Sequence, residues 1–270
     1  MNRSPVELRS LRDRFTAQER LIGTFCNLGS ALAVEACAAA GVDWVLIDTE
    51  HGVGGETEVA AAVTSAAAYG VPTLVRVESA ERIRIGRVLD LGAAGVMVPR
   101  VDSACAAEEF VSHLRYPPTG DRGVATYNRQ SGFGLVPSAL DDANSGVVGV
   151  VQIETVGALN EVADIAAVDG VDALFVGPMD LSYALGVPRN FTHPDYQGAL
   201  DRVVAACRTH GKTPGILVNT AAAGADMLAR GFGFVGLGSD STLLAAALHS
   251  AVGELADAAP APGRNWENGL

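Results

Sequence analysis

Lysine is almost missing from this 270-residue chain, with Lys212 alone against eighteen arginines. A mechanism that activates a carbonyl as an imine therefore has one candidate amine. Cysteine is sparse too: Cys26, Cys37, Cys105 and Cys207 are far apart and form no CxxC pair, which argues against a zinc cluster or a disulfide framework and fits a reduced cytoplasm. Aromatic residues make up 6% of the chain. No apolar run reaches the roughly eighteen residues that a membrane-spanning helix needs. The first twenty residues, MNRSPVELRSLRDRFTAQER, are charged throughout and lack the apolar stretch of a secretory signal, so a cytoplasmic location is expected. A basic stripe is absent as well, and the formal charge of −12 disfavours a nucleic-acid partner.

What is abundant is apolar and small. With 49% hydrophobic residues the chain can bury a sizeable core, and its length suits one α/β domain. Eight apolar runs of strand length recur: LIGTF from Leu21, WVLID from Trp44, TLVRV from Thr73, GVMVP from Gly95, VVGVVQI from Val147, ALFVG from Ala173, TPGIL from Thr213 and FVGLG from Phe234. Helical stretches alternate with them: 31–40, 56–69, 81–91, 104–114, 157–167, 194–210, 221–230 and 241–258. This alternation predicts a parallel (β/α)8 TIM barrel. The competing doubly wound sheet lacks a GxGxxG turn after its first strand. Residues 1–20 read as an N-terminal extension, 21–258 as the barrel and 259–270 as a mobile tail. One connection, 115–146, is long and rich in Pro, Gly and polar groups; it is either a solvent-exposed excursion or a lid or subunit contact.

A TIM barrel places its active site at the C-terminal ends of its strands. The residues expected there are Asp48, Glu50 and His51 after the second run, Arg76 after the third, Arg100 after the fourth, Gln152 and Glu154 on the fifth, and Asp180 after the sixth. Glu154 and Asp180 have the look of a divalent-metal pair, since each carboxylate ends an apolar strand; helix-start residues or arginine partners are the plainer alternative. His51 lies among carboxylates that suit a general base. Arg76 needs an anionic partner, whether a substrate carboxylate, an enolate oxygen or Asp48. Lys212 precedes the seventh run and is expected at the opposite end of the barrel, away from any carbonyl to be activated. GLGSDS, after the eighth run, reads as a tight turn with a Ser or Asp cap more readily than as a phosphate site.

DTEHG, LVRV, LDLGAAGVMVPRV, RYPPTGDRG, QIET and VGPMDLSYALG occur in this order, and together they resemble the HpcH/HpaI family of class II pyruvate aldolases from about Leu21 to about His249. The resemblance implies a single-domain barrel of the phosphoenolpyruvate/pyruvate type that reversibly cleaves a 4-hydroxy-2-oxo acid, either a sugar-acid derivative or a hydroxy-oxo-dicarboxylate. The products are pyruvate and an aldehyde, formed through an enolate held by a divalent metal. Glu154 and Asp180 would bind magnesium, manganese or cobalt, supported by Gln152. Arg76 would stabilise the enolate, and His51, held by Asp90 as a dyad, would act through water. The substrate carboxylate would meet backbone amides around Gly177, Pro178, Met179 and Asp180. Family members are commonly hexamers, trimers of dimers, that exchange the last helix; the long loop would carry Val124 to an adjacent active site. Arg122, Tyr127 and Arg129 on that loop are candidates for choosing the aldehyde. Two other readings remain: a lyase acting on citryl- or malyl-type coenzyme A thioesters, and a noncatalytic barrel that binds sugar acids.

Overall fold

The structure is a computed structural model that describes residues 10–136 and 138–257. Eight parallel strands, β1 (Leu21–Cys26), β2 (Trp44–Asp48), β3 (Thr73–Arg76), β4 (Gly95–Val98), β5 (Val148–Ile153), β6 (Ala173–Val176), β7 (Thr213–Val218) and β8 (Phe234–Ser239), pair in sequence order. The ring closes where β8 pairs with β1, so no strand edge is left. All eight strands lie where the apolar runs place them.

The helices are α1 (Leu11–Thr16), α2 (Ala31–Ala39), α3 (Glu56–Ala67), α4 (Arg82–Asp90), α5 (Ala104–Leu114), α6 (Ala139–Gly146), α7 (Val156–Asn160), α8 (Val162–Ala167), α9 (Pro178–Ala184), α10 (Pro194–His210), α11 (Ala221–Arg230) and α12 (Asp240–Asp257). Local chemistry sets many of their starts. Ser30, Ser103, Thr155 and Thr220 each accept a backbone N–H of the first turn, and Pro178 and Pro194 open helices where a missing N–H costs nothing. The expected helix over 157–167 is two short helices separated at Glu161, which has left helical geometry (φ −97°, ψ 15°). The long connection is not wholly irregular: it holds a 3-10 turn at Gly132–Gly134 and then α6.

Side-chain alternation along the strands divides the core in two. One set of residues, among them Leu21, Phe25, Trp44, Leu46, Leu74, Met97, Val150, Phe175 and Phe234, fills the barrel interior. The alternate positions, including Val45, Ile47, Val75, Val96, Val98 and Val151, pack outward against the helices. Trp44 requires Gly23 opposite it, because a Cβ there would stand 2.1 Å from the indole.

The segment set apart as an N-terminal extension is part of this core from Leu11 onward. Leu11 and Phe15 of α1 are buried with the interior cluster, and the Phe15 ring meets Phe234 edge-on at 4.9 Å. The sequence around them looks like a surface helix because only two positions are apolar, yet those two close the N-terminal mouth of the barrel. Tail residues 259–270 lie outside the described residues. No helix among the described residues is long and apolar enough to cross a membrane.

Two elements leave apolar surface uncovered. On α12, Leu243, Leu244, Leu248, Val252 and Leu255 are exposed, and so are Val124, Tyr127, Phe133 and Leu135 on the long loop.

Replacing Phe15 with alanine is expected to cost about 3 to 5 kcal/mol of stability, the range for a buried aromatic. Urea unfolding of Phe15→Ala checks this, with the strand-end site at the far mouth keeping its geometry.

Candidate active site

Because every strand runs the same way, the residues that end β2, β3, β5 and β6 emerge on one rim. Arg76 is the fixed point of this rim. Its Nε and Nη2 donate to the two carboxylate oxygens of Asp48 at 3.0 and 2.6 Å, its Nη1 lies 3.2 Å from Glu50, and its guanidinium sits 5.5 Å from the centre of the Phe25 ring. Of the partners open to Arg76 from sequence, the structure selects Asp48. The same Asp48 Oδ1 accepts the backbone N–H of Glu50 and of His51, so one carboxylate sets both the arginine and the turn that carries the histidine.

His51 projects from that turn with its side chain 69% exposed and Nε2 4.0 Å from Glu50. Glu154, like Asp48, is buried. Its Oε1 accepts the backbone N–H of Arg100 at 2.8 Å and its Oε2 accepts Nε2 of Gln152 at 3.0 Å. Burial pushes its carboxyl above the ordinary carboxylate range, and the negative charges of Asp180 and Glu50 push the same way against the Arg100 amide and Arg76. Glu50 is also raised by burial, with Asp48 and Asp180 adding to the effect and Arg76 and His51 opposing it.

Asp180 occupies the first turn of α9, exposed to solvent. Gly177 is the N-cap and Pro178 opens the helix, so Pro178 has no amide to offer a carboxylate; the donors facing that end are Met179, Asp180 and Gly177. Gly177 also makes room for Glu154, because a Cβ there would stand 2.6 Å from Oε2.

These residues fit a hard divalent cation. Four carboxylates, Asp48, Glu50, Glu154 and Asp180, share the rim with Arg76, and the buried Gln152 Oε1 has no hydrogen-bond partner. One or two carboxylates with waters in the remaining places are the usual arrangement for magnesium. No group of three or more His, Cys, Asp or Glu side chains suited to a metal exists among the described residues, so a cation here would draw on two carboxylates, water and substrate.

Asp90 is the residue that does not join the rim. It ends α4 beside the N-terminal mouth, where its Oδ1 accepts Nη2 of the buried Arg122 at 2.7 Å, and that guanidinium lies 4.4 Å from the Tyr116 ring centre. His51 follows the C-terminal end of β2, and among the described residues no hydrogen bond or ion pair joins the two. The reason is topological: a helix that follows a strand runs back to the barrel's other end. The same rule removes the long loop from its own chain's site, since it joins α5 to β5. Arg115 there holds the carbonyls of Val147 and Gly170 at strand starts, Arg122 is spent on Asp90, and Arg129 donates to Thr64 on α3. The expectation that Arg122 and Arg129 select the aldehyde is thereby corrected for their own chain. Val124 is exposed.

Lys212 lies where its position predicts. Its ammonium donates to the carbonyls of Val168 and Val171 before β6, and burial pulls it below its ordinary value. It is far from the rim, and no other lysine exists to form an imine. The GLGSDS turn is a cap rather than an anion site: Asp240 accepts the backbone N–H groups of Asn27, Leu28 and Ser241, tying β1's exit to the start of α12. Glu50 is the residue that sequence reasoning undervalued. Its place in DTEHG, next to a strand end, was the available signal.

Asp48→Ala, which removes the acceptor of both turn amides while leaving Glu50 beside Arg76, is expected to lose about 1 to 3 kcal/mol and to release the His51 turn. Chemical denaturation and the mobility of His51 by NMR measure the two effects.

Comparison with known proteins agrees with this geometry. The model of the HpcH/HpaI aldolase/citrate lyase family matches residues 21–247. A 4-hydroxy-2-oxo-heptane-1,7-dioate aldolase of Salmonella dublin is 37% identical over 237 residues, covering 87% of this chain and 90% of the relative. The crystal structure of an HpcH/HpaI aldolase/citrate lyase family protein from Burkholderia cenocepacia J2315 superposes with a TM-score of 0.87 at 36% identity, covering 91% of this chain and 98% of the other. That of the citrate synthase SbnG superposes at 0.83 with 28% identity, covering 92% and 98%. With a family model spanning the barrel and a relative at 37% identity over most of both chains, this chain belongs to the HpcH/HpaI aldolase/citrate lyase family.

Proposed function

We propose that the chain is a class II aldolase that reversibly cleaves a 4-hydroxy-2-oxo acid to pyruvate and an aldehyde. The observation that carries the reading is the buried Glu154 beside the unpaired Gln152 Oε1, in a rim rich in carboxylates, on a chain similar to 4-hydroxy-2-oxo-heptane-1,7-dioate aldolases.

In this reading Glu154 and Asp180 hold magnesium, manganese or cobalt, with Gln152 orienting Glu154. A divalent cation held there supplies a Lewis acid for the keto oxygen of the 2-oxo acid. The remaining work falls to the chain's own residues. The amides of Met179 and Asp180 at the start of α9 face the substrate carboxylate, flanked by Gly177 and Pro178. His51, exposed at the rim, takes the proton of the 4-hydroxyl through a bridging water; the C3–C4 bond then breaks, the aldehyde leaves, and the electron pair remains as the enolate of pyruvate. Arg76, held in place by Asp48, directs its N–H groups at the enolate oxygen. Protonation at C3 by the same water-linked His51 completes the cleavage, and reversal adds pyruvate to an aldehyde.

The site completes itself in an oligomer. The exposed apolar faces of α12 and of the long loop need cover, and a hexamer built as a trimer of dimers provides it. A His51–Asp90 dyad is then made between chains, since one chain separates the two, and Val124 would border a neighbour's site. The protein is expected to act in the cytoplasm on small molecules alone.

Pyruvate release from a panel of 4-hydroxy-2-oxo acids is expected to vanish when metal is stripped and to return with magnesium, manganese or cobalt. Glu154→Ala abolishes the rescue. Turnover without metal, or action on coenzyme A thioesters instead, overturns the reading. Light scattering is expected to give six times the 27.7 kDa chain mass; Leu248→Arg, which puts a charge on the exposed face of α12, is expected to give smaller species with reduced activity.

A further inference from the structure

Two arginines stand at the strand ends themselves, and they differ in what they do. Arg76 is committed to Asp48 and Glu50. Arg100, two residues beyond β4, is exposed, and among the described residues no carboxylate pairs with its guanidinium.

The backbone of Arg100 is left-handed, with φ at 54°. Few side chains other than glycine, asparagine or aspartate take that conformation without strain, and such strain persists where surrounding structure holds it. Here the conformation directs the Arg100 N–H onto Glu154 Oε1 at 2.8 Å. Glycine would make the same turn without strain. An arginine at a position that favours glycine roots an exposed cationic side chain one backbone hydrogen bond away from the carboxylate at the centre of the proposed site.

We propose that Arg100 is the specificity-determining residue for aldehydes that bear a carboxylate. This rests on the aldolase reading. A 4-hydroxy-2-oxo acid anchored by its first two carbons near Glu154 and Asp180 extends its other end outward across the rim. A side chain of arginine's length, rooted within one hydrogen bond of Glu154, reaches the span over which a seven-carbon dioate ends. A planar guanidinium binds a carboxylate in bidentate fashion, and it discriminates by charge against a neutral end. The rim otherwise presents Asp48, Glu50, Glu154 and Asp180, which repel a second carboxylate, so an unpaired cation is what such a substrate requires. The loop arginines do not compete for this role within the chain: Arg122 is buried on Asp90, and Arg129 donates to Thr64 of α3.

The test compares cleavage of 4-hydroxy-2-oxoheptane-1,7-dioate with that of 4-hydroxy-2-oxoheptanoate by the full-length protein supplied with magnesium. Both yield pyruvate, with four-carbon aldehydes that end in a carboxylate and in a methyl group respectively. The wild type is expected to favour the dioate. In Arg100→Gly the ratio of kcat/KM for the dioate to that for the neutral acid is expected to fall about tenfold or more, chiefly through KM of the dioate. Arg100→Lys, which keeps the charge, is expected to retain part of the preference. A ratio within twofold of wild type in Arg100→Gly overturns the inference. So does loss of both activities in that variant, which assigns Arg100 to holding Glu154. A wild type that releases pyruvate from no member of the 4-hydroxy-2-oxo acid panel overturns the aldolase reading and the inference with it, whereas one that acts on other members but on neither of these two, or that cleaves both without preference, overturns the inference alone.

Discussion

Closure of the parallel ladder between β8 and β1 is the constraint on which everything else depends. Once eight strands run in one direction around a ring, backbone hydrogen bonds are satisfied throughout and every strand exit lies on one rim. Polar residues spread over about half of the sequence, from Asp48 to Asp180, become neighbours without any local signal having arranged it. The ring also decides which groups cannot meet. A helix returning from the rim delivers its last residues to the opposite mouth, and Asp90 is there for that reason.

Charge at the rim then sets the chemistry. Glu154 and Glu50 are both raised by burial and by neighbouring carboxylates, Asp180 among them, which makes the rim an unfavourable place for four carboxylates without further positive charge. Arg76 offsets part of this, but it is already bound to Asp48 and Glu50. The remaining imbalance is one that the proposed divalent cation would relieve. Gly177 belongs to the same arrangement, because any larger residue would occupy the space of the Glu154 carboxylate.

The apolar surface outside the barrel follows a different logic. The interior and the strand–helix layer are filled, while α12 and the long loop present leucines, valines, Tyr127 and Phe133 to solvent. Both are surfaces that the proposed assembly would cover.

The order of elements was legible in the sequence because strand period and strand length leave a local imprint: all eight runs became strands, and α5, α10 and α11 have the bounds their sequence suggests. The rim residues were legible for the same reason, as each follows an apolar run. The DTEHG to VGPMDLSYALG series carried the family. Other features had no local imprint. Leu11 and Phe15 look like ordinary residues of a charged segment until the open barrel mouth gives them a place to be buried. Arg122 looks like a loop cation until Asp90 and Tyr116 enclose it. That Arg76 pairs with Asp48, that Glu50 stands between Arg76 and His51, and that Arg100 turns its amide to Glu154 are contacts between separate strands or their exits. The sequence determined the strands, the barrel and the set of residues at its mouth, because these depend on short-range periodicity. Only the tertiary structure decided which of those residues face one another, because the distances among them are fixed by the tilt and closure of the whole sheet.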